Sequence, residues 1–176
     1  MRTSQKRQKH LSSHSISLPF TPFLSLPLLL LLVSCTGKPV IDEKHTFDGR
    51  TWNRFTPEAF DMTVNNIEDY YNIDLTATVD TALYRYEQLP VMVILRSPGG
   101  EERQFYGAVL LKDKGRWRGQ SQGGSRTATS RLRSYFSFNS RGHHHLDVNQ
   151  TTSQYDLEGV QDITLTVTKA KVDYDL

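Results

Sequence analysis

The chain has one cysteine, Cys35, and its surroundings give that thiol a specific chemistry. A basic segment at residues 2–9 precedes an apolar stretch at residues 24–33, and the small residue Ser34 stands directly before Cys35. A positive start, a short apolar middle and a small residue at the cut are typical of a secretory signal peptide. The tetrapeptide Leu32-Val33-Ser34-Cys35 predicts the lipoprotein form of that signal, in which the thiol takes a diacylglyceryl thioether. Cleavage before Cys35 then frees an amine that can be acylated.

Two other interpretations of Cys35 are a buried free thiol and a residue of a transmembrane helix. The apolar block is shorter than the roughly 20 residues needed to cross a bilayer, and Pro22 and Pro27 would interrupt a helix. Each buried methylene contributes about 0.8 kcal/mol, so two or three acyl chains anchor a protein essentially permanently. The sequence therefore predicts a signal peptide at residues 1–34 and membrane attachment through Cys35.

Histidines are the next candidates for chemistry, namely His45 and the run His143-His144-His145. Successive residues of a strand point to opposite faces, so at most His143 and His145 could share a metal ion. Neither an H-E-x-x-H nor a C-x-x-C motif accompanies them in the sequence. The favoured interpretation is a polar loop that enters a strand after Arg141-Gly142.

Motifs for catalysis or cofactor binding are absent from the sequence. It contains no G-x-S-x-G elbow, phosphate loop, EF-hand or dinucleotide fingerprint. The acidic pairs Glu68-Asp69 and Glu101-Glu102 are adjacent in sequence and are expected in turns, whereas paired general acids would face each other across a cleft. We therefore expect no catalytic residue, no metal, no cofactor and no nucleic-acid partner, and a protein that is not an enzyme.

The charge balance changes once the signal peptide is set aside. Residues 1–34 hold four of the 21 Lys and Arg and none of the 19 Asp and Glu, which leaves a formal net charge of −2 on the remaining 142 residues. Seven basic residues and no acid lie between Lys114 and Leu146. They could form a cationic face for an anionic partner, or pair with acids of neighbouring strands as ordinary solvated residues. The second interpretation is favoured.

The elements that must carry these residues have the two-residue period of β-strands. The clearest alternation is at residues 71–79, with Tyr71, Ile73, Leu75, Ala77 and Val79 on one side. Strands are predicted at residues 51–55, 59–64, 71–79, 91–96, 101–111, 116–118, 132–138, 144–150 and 160–170. The unbroken apolar run at 91–96 predicts a central strand covered on both faces, and the polar, glycine-rich residues 120–129 predict a mobile loop.

Short strands joined by hairpin turns, with no helical stripe, predict an all-β antiparallel β-sandwich, either a jelly roll or immunoglobulin-like. Its domain is expected at residues 47–176, behind a lipidated tether at residues 35–46. No cysteine remains for a disulfide, so the core must hold by packing. The aromatic residues expected to supply it are Trp52, Phe55, Phe60, Tyr71, Phe105, Trp117, Phe136 and Phe138.

Five blocks of sequence, in order, resemble the gliding motility lipoprotein GldH family of the Bacteroidetes. They are Trp52-Asn53-Arg54-Phe55 followed by Phe60, Tyr84-Arg85-Tyr86-Glu87-Gln88-Leu89, Ser97-Pro98-Gly99-Gly100, Gly115-Arg116-Trp117-Arg118-Gly119, and Leu157-Glu158-Gly159-Val160-Gln161-Asp162-Ile163. The resemblance covers most of the chain after the signal. It implies a lipid-anchored component of gliding-type or secretion-type envelope machinery, and it brings no catalytic residues.

Three functions follow as hypotheses. The first is a non-enzymatic lipoprotein that binds envelope proteins through a sandwich face or strand edge. The second is a carbohydrate- or lipid-binding module that uses Tyr84, Tyr86 and Tyr135 as exposed aromatics. The third is a hydrolase, which would require a polar pocket with converging acids or histidines. The acidic pair Asp42-Glu43 begins seven residues after Cys35, later than a surface-export tag, so we expect the periplasmic side of the outer membrane.

Overall fold

Apolar side chains at every second position build the strands of this fold. The computed structural model describes residues 38–171, which contain thirteen strands and one short 3-10 turn, Asp48–Arg50. The strands are β1 (Ile41–Thr46), β2 (Thr51–Asn53), β3 (Glu58–Val64), β4 (Tyr70–Asp80), β5 (Gln88–Arg96), β6 (Glu102–Leu110), β7 (Lys112–Asp113), β8 (Arg116–Trp117), β9 (Gln120–Gln122), β10 (Ser125–Ser137), β11 (Gly142–Gln150), β12 (Asp156–Glu158) and β13 (Val160–Lys169).

Two antiparallel sheets make up the sandwich. The five-stranded sheet has the order β1-β13-β4-β10-β9 and the four-stranded sheet the order β3-β11-β5-β6. Eight long strands alternate between the sheets so that the first and last are neighbours in one sheet and the hairpin β5-β6 closes the other. This strand order is that of a jelly roll. The structure thus confirms the predicted β-sandwich and decides between the two topologies that the sequence left open.

The core lies between the two sheets and follows the predicted alternation. All five odd-numbered apolar residues of β4, from Tyr71 to Val79, are buried. Their neighbours across the sheet, Ile163, Leu165 and Val167 of β13, are buried as well. Most of the aromatic residues expected in the core lie in or against it: Trp52, Phe60, Tyr71, Phe105 and Phe138 are buried, and Trp117 and Phe136 pack against them half-buried.

The prediction for residues 91–96 is half right. β5 lies between β11 and β6, as expected of a central strand. Val91, Val93 and Leu95 are buried, but Met92 and Ile94 are only half-buried, on the outer face. Among the described residues no helix covers the outer face of this sheet, because they fold as a two-layer sandwich. An unbroken apolar run therefore did not mean burial on both faces.

The predicted mobile loop at residues 120–129 is wrong. These residues form β9 and the first part of β10, joined by a turn at Gly123-Gly124, where both glycines have positive φ. β10 also pairs with β4, and hydroxyl groups of threonines meet across the two strands: Thr76 with Thr129 at 2.8 Å and Thr78 with Thr127 at 3.0 Å. A polar segment thus forms a strand because a long, buried neighbour supplies its backbone partners.

Residues 35–46 were predicted to form a tether, but within the described part of the chain residues 41–46 belong to the folded domain. β1 occupies Ile41–Thr46 and pairs with β13, and the Val40 N–H donates to the Val167 carbonyl at 2.7 Å. Ile41 is buried, whereas most of the other β1 residues are exposed or half-buried polar groups. Such a polar edge strand escaped prediction because only its first residue contributes to the core.

The sandwich has two distinct ends. The N-terminal end carries the start of β1 together with the loops at residues 65–69, 97–101 and 138–141. The far end carries the segment at residues 47–57 and the loops at residues 81–87 and 151–155.

Candidate interaction surface

Two exposed aromatic rings stack on each other at the far end. Phe55 has 71% of its surface exposed and Tyr155 has 65%, and their ring centroids lie 5.6 Å apart with planes 29° from parallel. Phe55 was expected in the core, and this expectation is wrong. β2 ends at Asn53, so Phe55 lies in the turn that follows and its side chain is not bound to the alternation of the strand.

Hydrogen bonds fix the two loops that carry these rings. The Arg54 N–H donates to the Tyr155 carbonyl at 2.7 Å, which ties one loop to the other. The Asn53 side chain accepts from the Phe55 N–H at 2.9 Å and donates to Asp156 at 2.6 Å. The backbone positions that carry the aromatic pair are therefore fixed relative to each other.

A buried tryptophan supports the same turn from below. Trp52 is 1% exposed, and its indole N–H donates to the Thr56 carbonyl at 3.1 Å. Phe47 stacks on the Trp52 ring with centroids 5.0 Å apart. The turn therefore rests on the core, although its own aromatic ring points into solvent.

The guanidinium group of Arg54 lies close to both rings of the pair. The Arg54 guanidinium carbon lies 5.8 Å from the centroids of both the Phe55 and the Tyr155 rings. A cation at this distance interacts favourably with an aromatic face. Tyrosine and arginine are enriched among the residues that dominate the binding energy of protein interfaces. The three side chains together have the composition of such a site.

A cleft of about 360 Å³ opens at the same end of the sandwich. Gln154 and Asp156, which flank Tyr155 in sequence, line one side, and Leu83 and Tyr86 of the loop before β5 line the other. We call the cleft and the side chains of Arg54, Phe55 and Tyr155 the far-end aromatic surface.

The three tyrosines expected to form a carbohydrate platform do not share one surface. Tyr84 is 1% exposed, and its hydroxyl donates to the Gln88 carbonyl at 2.9 Å. Burial raises the pKa of Tyr84 far above its ordinary value. Tyr86 is half-buried beside it, whereas Tyr135 is exposed on β10 near Asn72, toward the N-terminal end. The prediction that Tyr84 is an exposed ligand-binding aromatic is wrong.

The three consecutive histidines alternate between faces of β11, as predicted. His143 and His145 both lie near Asp61, at 3.1 Å and 2.8 Å from the same carboxylate oxygen, while His144 is buried against the Phe138 ring. The hydrogen bond with Asp61 raises the pKa of His145, and the same bond lowers the pKa of Asp61. The two outward histidines thus converge on a carboxylate in an exposed network on the outer face of the four-stranded sheet. Within residues 38–171, no group of three or more metal-ligating side chains is arranged to hold an ion.

The basic residues between Lys114 and Leu146 are spread over the domain. Arg131 pairs with Asp74 of the neighbouring strand at 2.7 Å on the outer face of the five-stranded sheet. Arg133 lies over the Phe105 ring and donates to two backbone carbonyls. Arg141 lies in the loop before β11, at the N-terminal end. This arrangement agrees with the interpretation of these residues as ordinary, locally paired groups.

Cys35 lies outside the described residues, so its lipidation stays a prediction. Among residues 38–171, the structure forms no helix with the length and apolar character that a membrane crossing requires.

A β-sandwich domain behind the signal that the sequence predicts is the architecture expected of an envelope lipoprotein. The family model described as GldH lipoprotein matches residues 39–167, from just before β1 to within β13. The chain belongs to the GldH lipoprotein family, which confirms the resemblance of the five sequence blocks. Comparisons with curated proteins and with solved structures return no match.

Proposed function

We propose that this lipoprotein is a non-enzymatic component of a gliding-type or secretion-type envelope machinery, and that it binds another envelope protein through the far-end aromatic surface. Membership of the GldH lipoprotein family supports the connection to such machinery. The stacked and exposed Phe55–Tyr155 pair is the single observation that carries the binding role.

Exposure of two large rings needs a physical reason. Each ring would gain about 1.5–3 kcal/mol from complete burial, so the pair is costly to leave in water. The backbone that carries both rings is held by two hydrogen bonds, from the Phe55 N–H to the Asn53 side chain and from the Arg54 N–H to the Tyr155 carbonyl, which reduces the entropy lost when a partner docks. An exposed aromatic pair with a nearby cation, and a cleft at the same end of the domain, suit a protein partner that covers the rings and inserts a side chain into the cleft.

The membrane arrangement follows from the anchor. Acyl chains on Cys35 would hold the N-terminal end near the bilayer, and the far-end aromatic surface would face away from it. The position of Asp42-Glu43, seven residues beyond Cys35, supports the periplasmic face of the outer membrane. In that position the surface is open to a periplasmic or integral membrane partner.

The double variant Phe55→Ala/Tyr155→Ala tests the binding role. In membranes extracted with mild detergent, the wild-type protein should sediment in an assembly larger than itself. Loss of two dominant aromatic contacts should weaken binding at least about 30-fold, so that the variant sediments as free lipoprotein. Its unfolding midpoint should change little, because both rings are mostly exposed.

A matched control is Gln104→Ala/Tyr106→Ala, which removes two exposed side chains from the middle of β6, opposite Ile94 and Met92 and away from the far-end loops. This variant should sediment with the wild type. The proposal is contradicted if the wild-type protein itself sediments as a free lipoprotein, or if both double variants leave the assembly to the same extent.

A further inference from the structure

The N-terminal end of the sandwich exposes three side chains suited to a lipid surface: Ile67, Tyr70 and Tyr135. We propose that this end lies against the phospholipid headgroup layer of the anchoring membrane and places these side chains at the boundary between headgroups and acyl chains. The proposal rests on the proposed anchorage at Cys35 and adds a defined orientation to it.

The length of the chain between anchor and domain limits their separation. Residues 36–39 separate Cys35 from Val40, the first residue with a backbone hydrogen bond to the sheet. Five residues of extended chain span at most about 18 Å, compared with roughly 5–8 Å for the headgroup layer on one side of a bilayer. From Val40 onward the chain is fixed by its hydrogen bond to Val167. The N-terminal end therefore cannot move far from the bilayer while the lipid is inserted.

The exposed side chains lie at the same end as this attachment point. Residues Lys38 to Val40 line one cleft with Asn65, which begins the loop that carries Ile67. Tyr70 follows this loop at the start of β4, and its carbonyl accepts from the Ala170 N–H just after β13. The first fixed residues and the exposed loop thus meet at one edge of the domain.

Tyr135 extends this surface along β10. Ser137 pairs with Tyr70, so Tyr135 lies two residues farther along the same strand. Two register shifts interrupt this part of β10, and Tyr135 has a positive φ of 51°. A bulge turns side chains out of the regular alternation, which accounts for an exposed ring beside the buried strand β4.

The chemistry of these residues fits an interface and not the interior of a bilayer. Tyrosine has an apolar ring and a polar hydroxyl and is enriched where membranes meet water. Ile67 is 41% exposed at the loop between the two sheets, with the acids Glu68 and Asp69 directly after it. Asp69 forms an ion pair with Lys169, and Lys38 and Arg141 are exposed at the same end. Charges of both signs suit zwitterionic headgroups and give anionic lipid no strong advantage.

Tryptophan fluorescence tests the proposed orientation. The full, lipidated Ile67→Trp protein is reconstituted in phosphatidylcholine vesicles that carry bromine on the acyl chains, which quenches nearby indoles. The matched control is Leu83→Trp, because Leu83 is 40% exposed but lies at the far end. After subtraction of the wild-type signal from Trp52 and Trp117, position 67 should be quenched at least about twofold more than position 83 if it lies at the acyl boundary. Both variants are compared with the wild type in unfolding midpoint.

Each outcome bears on the proposal. Strong quenching at position 67 and weak quenching at position 83 supports the orientation. Weak quenching at both positions, while the protein stays on the vesicles, overturns the proposed contact between the N-terminal end and the headgroup layer but leaves the lipid anchor intact. Equal, strong quenching at both positions overturns the orientation. If the protein leaves the vesicles on washing, both the proposed lipid anchor and the proposed contact with the headgroup layer are overturned.

Discussion

Replacement of Cys35 by serine is expected to abolish lipidation and leave residues 1–34 attached. A hydroxyl does not take the diacylglyceryl thioether, and cleavage before residue 35 depends on that modification. Two acyl chains would contribute on the order of 20 kcal/mol to membrane attachment, so their loss removes the anchor completely. Intact mass measurement of the protein purified from whole cells should show the wild type beginning at Cys35 with a lipid mass, and the variant with residues 1–34 attached and no lipid.

The control for this experiment is Ser34→Ala, which keeps a small residue before the cysteine and should be processed like the wild type. The lipid anchor is ruled out if the Cys35→Ser protein is still cut before residue 35 and still partitions with membranes as the wild type does.

Replacement of Gly159 by alanine should lower the free energy of unfolding by about 3 kcal/mol or more. Gly159 has φ +88°, and a Cβ there would lie 2.6 Å from the Tyr84 backbone nitrogen. Its N–H donates to the Arg50 carbonyl and its carbonyl accepts from the Asp80 N–H, both at 2.8 Å. The added methyl group would push the Gly159 backbone away from the Tyr84 backbone. Gly159 cannot move in this way without breaking its hydrogen bonds to Arg50 and Asp80.

The matched control is Gly115→Ala. Gly115 has a similar φ of +75° but no atom within 4 Å of the added Cβ, so this variant should lose only about 1–2 kcal/mol from the unfavourable φ. Denaturant unfolding of the two variants measures the difference. An equal decrease in the free energy of unfolding of both variants would show that only the positive φ of Gly159 matters. The close approach to Tyr84 would then contribute nothing to stability.

The regular strands were predictable because burial and sequence share one period. Tyr71 to Val79 alternate in the sequence and alternate between core and surface in β4. Phe60, Met62 and Val64 do the same in β3. β1 and β9 were not predictable in this way, since their residues are mostly polar and their strand conformation comes from pairing with β13 and β10.

Aromatic residues in loops were harder to place than those in strands. Phe55 was expected inside and is exposed, while Tyr84 was expected outside and is buried. Neither lies in a strand, so no alternation indicates the direction of its side chain. The Tyr84 ring lies against Tyr86 and its hydroxyl donates to the Gln88 carbonyl, and no periodic pattern in the sequence reveals these contacts.

The candidate site brings together residues that are far apart in the chain. Phe55 follows β2 and Tyr155 precedes β12, and they meet because these two short strands pair, with Asn53 opposite Asp156. A single sequence does not show that pairing. The one available signal was the turn at Thr56-Pro57, which places the preceding aromatic residue outside a regular strand.

The proposed binding of another envelope protein by the far end of this jelly roll can be tested with a photo-crosslinking amino acid placed at position 55 in cells and activated in intact membranes. Position 106 is the control, because Tyr106 is comparably exposed but lies on β6. We predict one discrete crosslinked product with a second envelope protein from position 55, none from position 106, and loss of the product in Tyr155→Ala. The absence of any product from position 55 in membranes that contain the folded, lipidated protein would contradict the account.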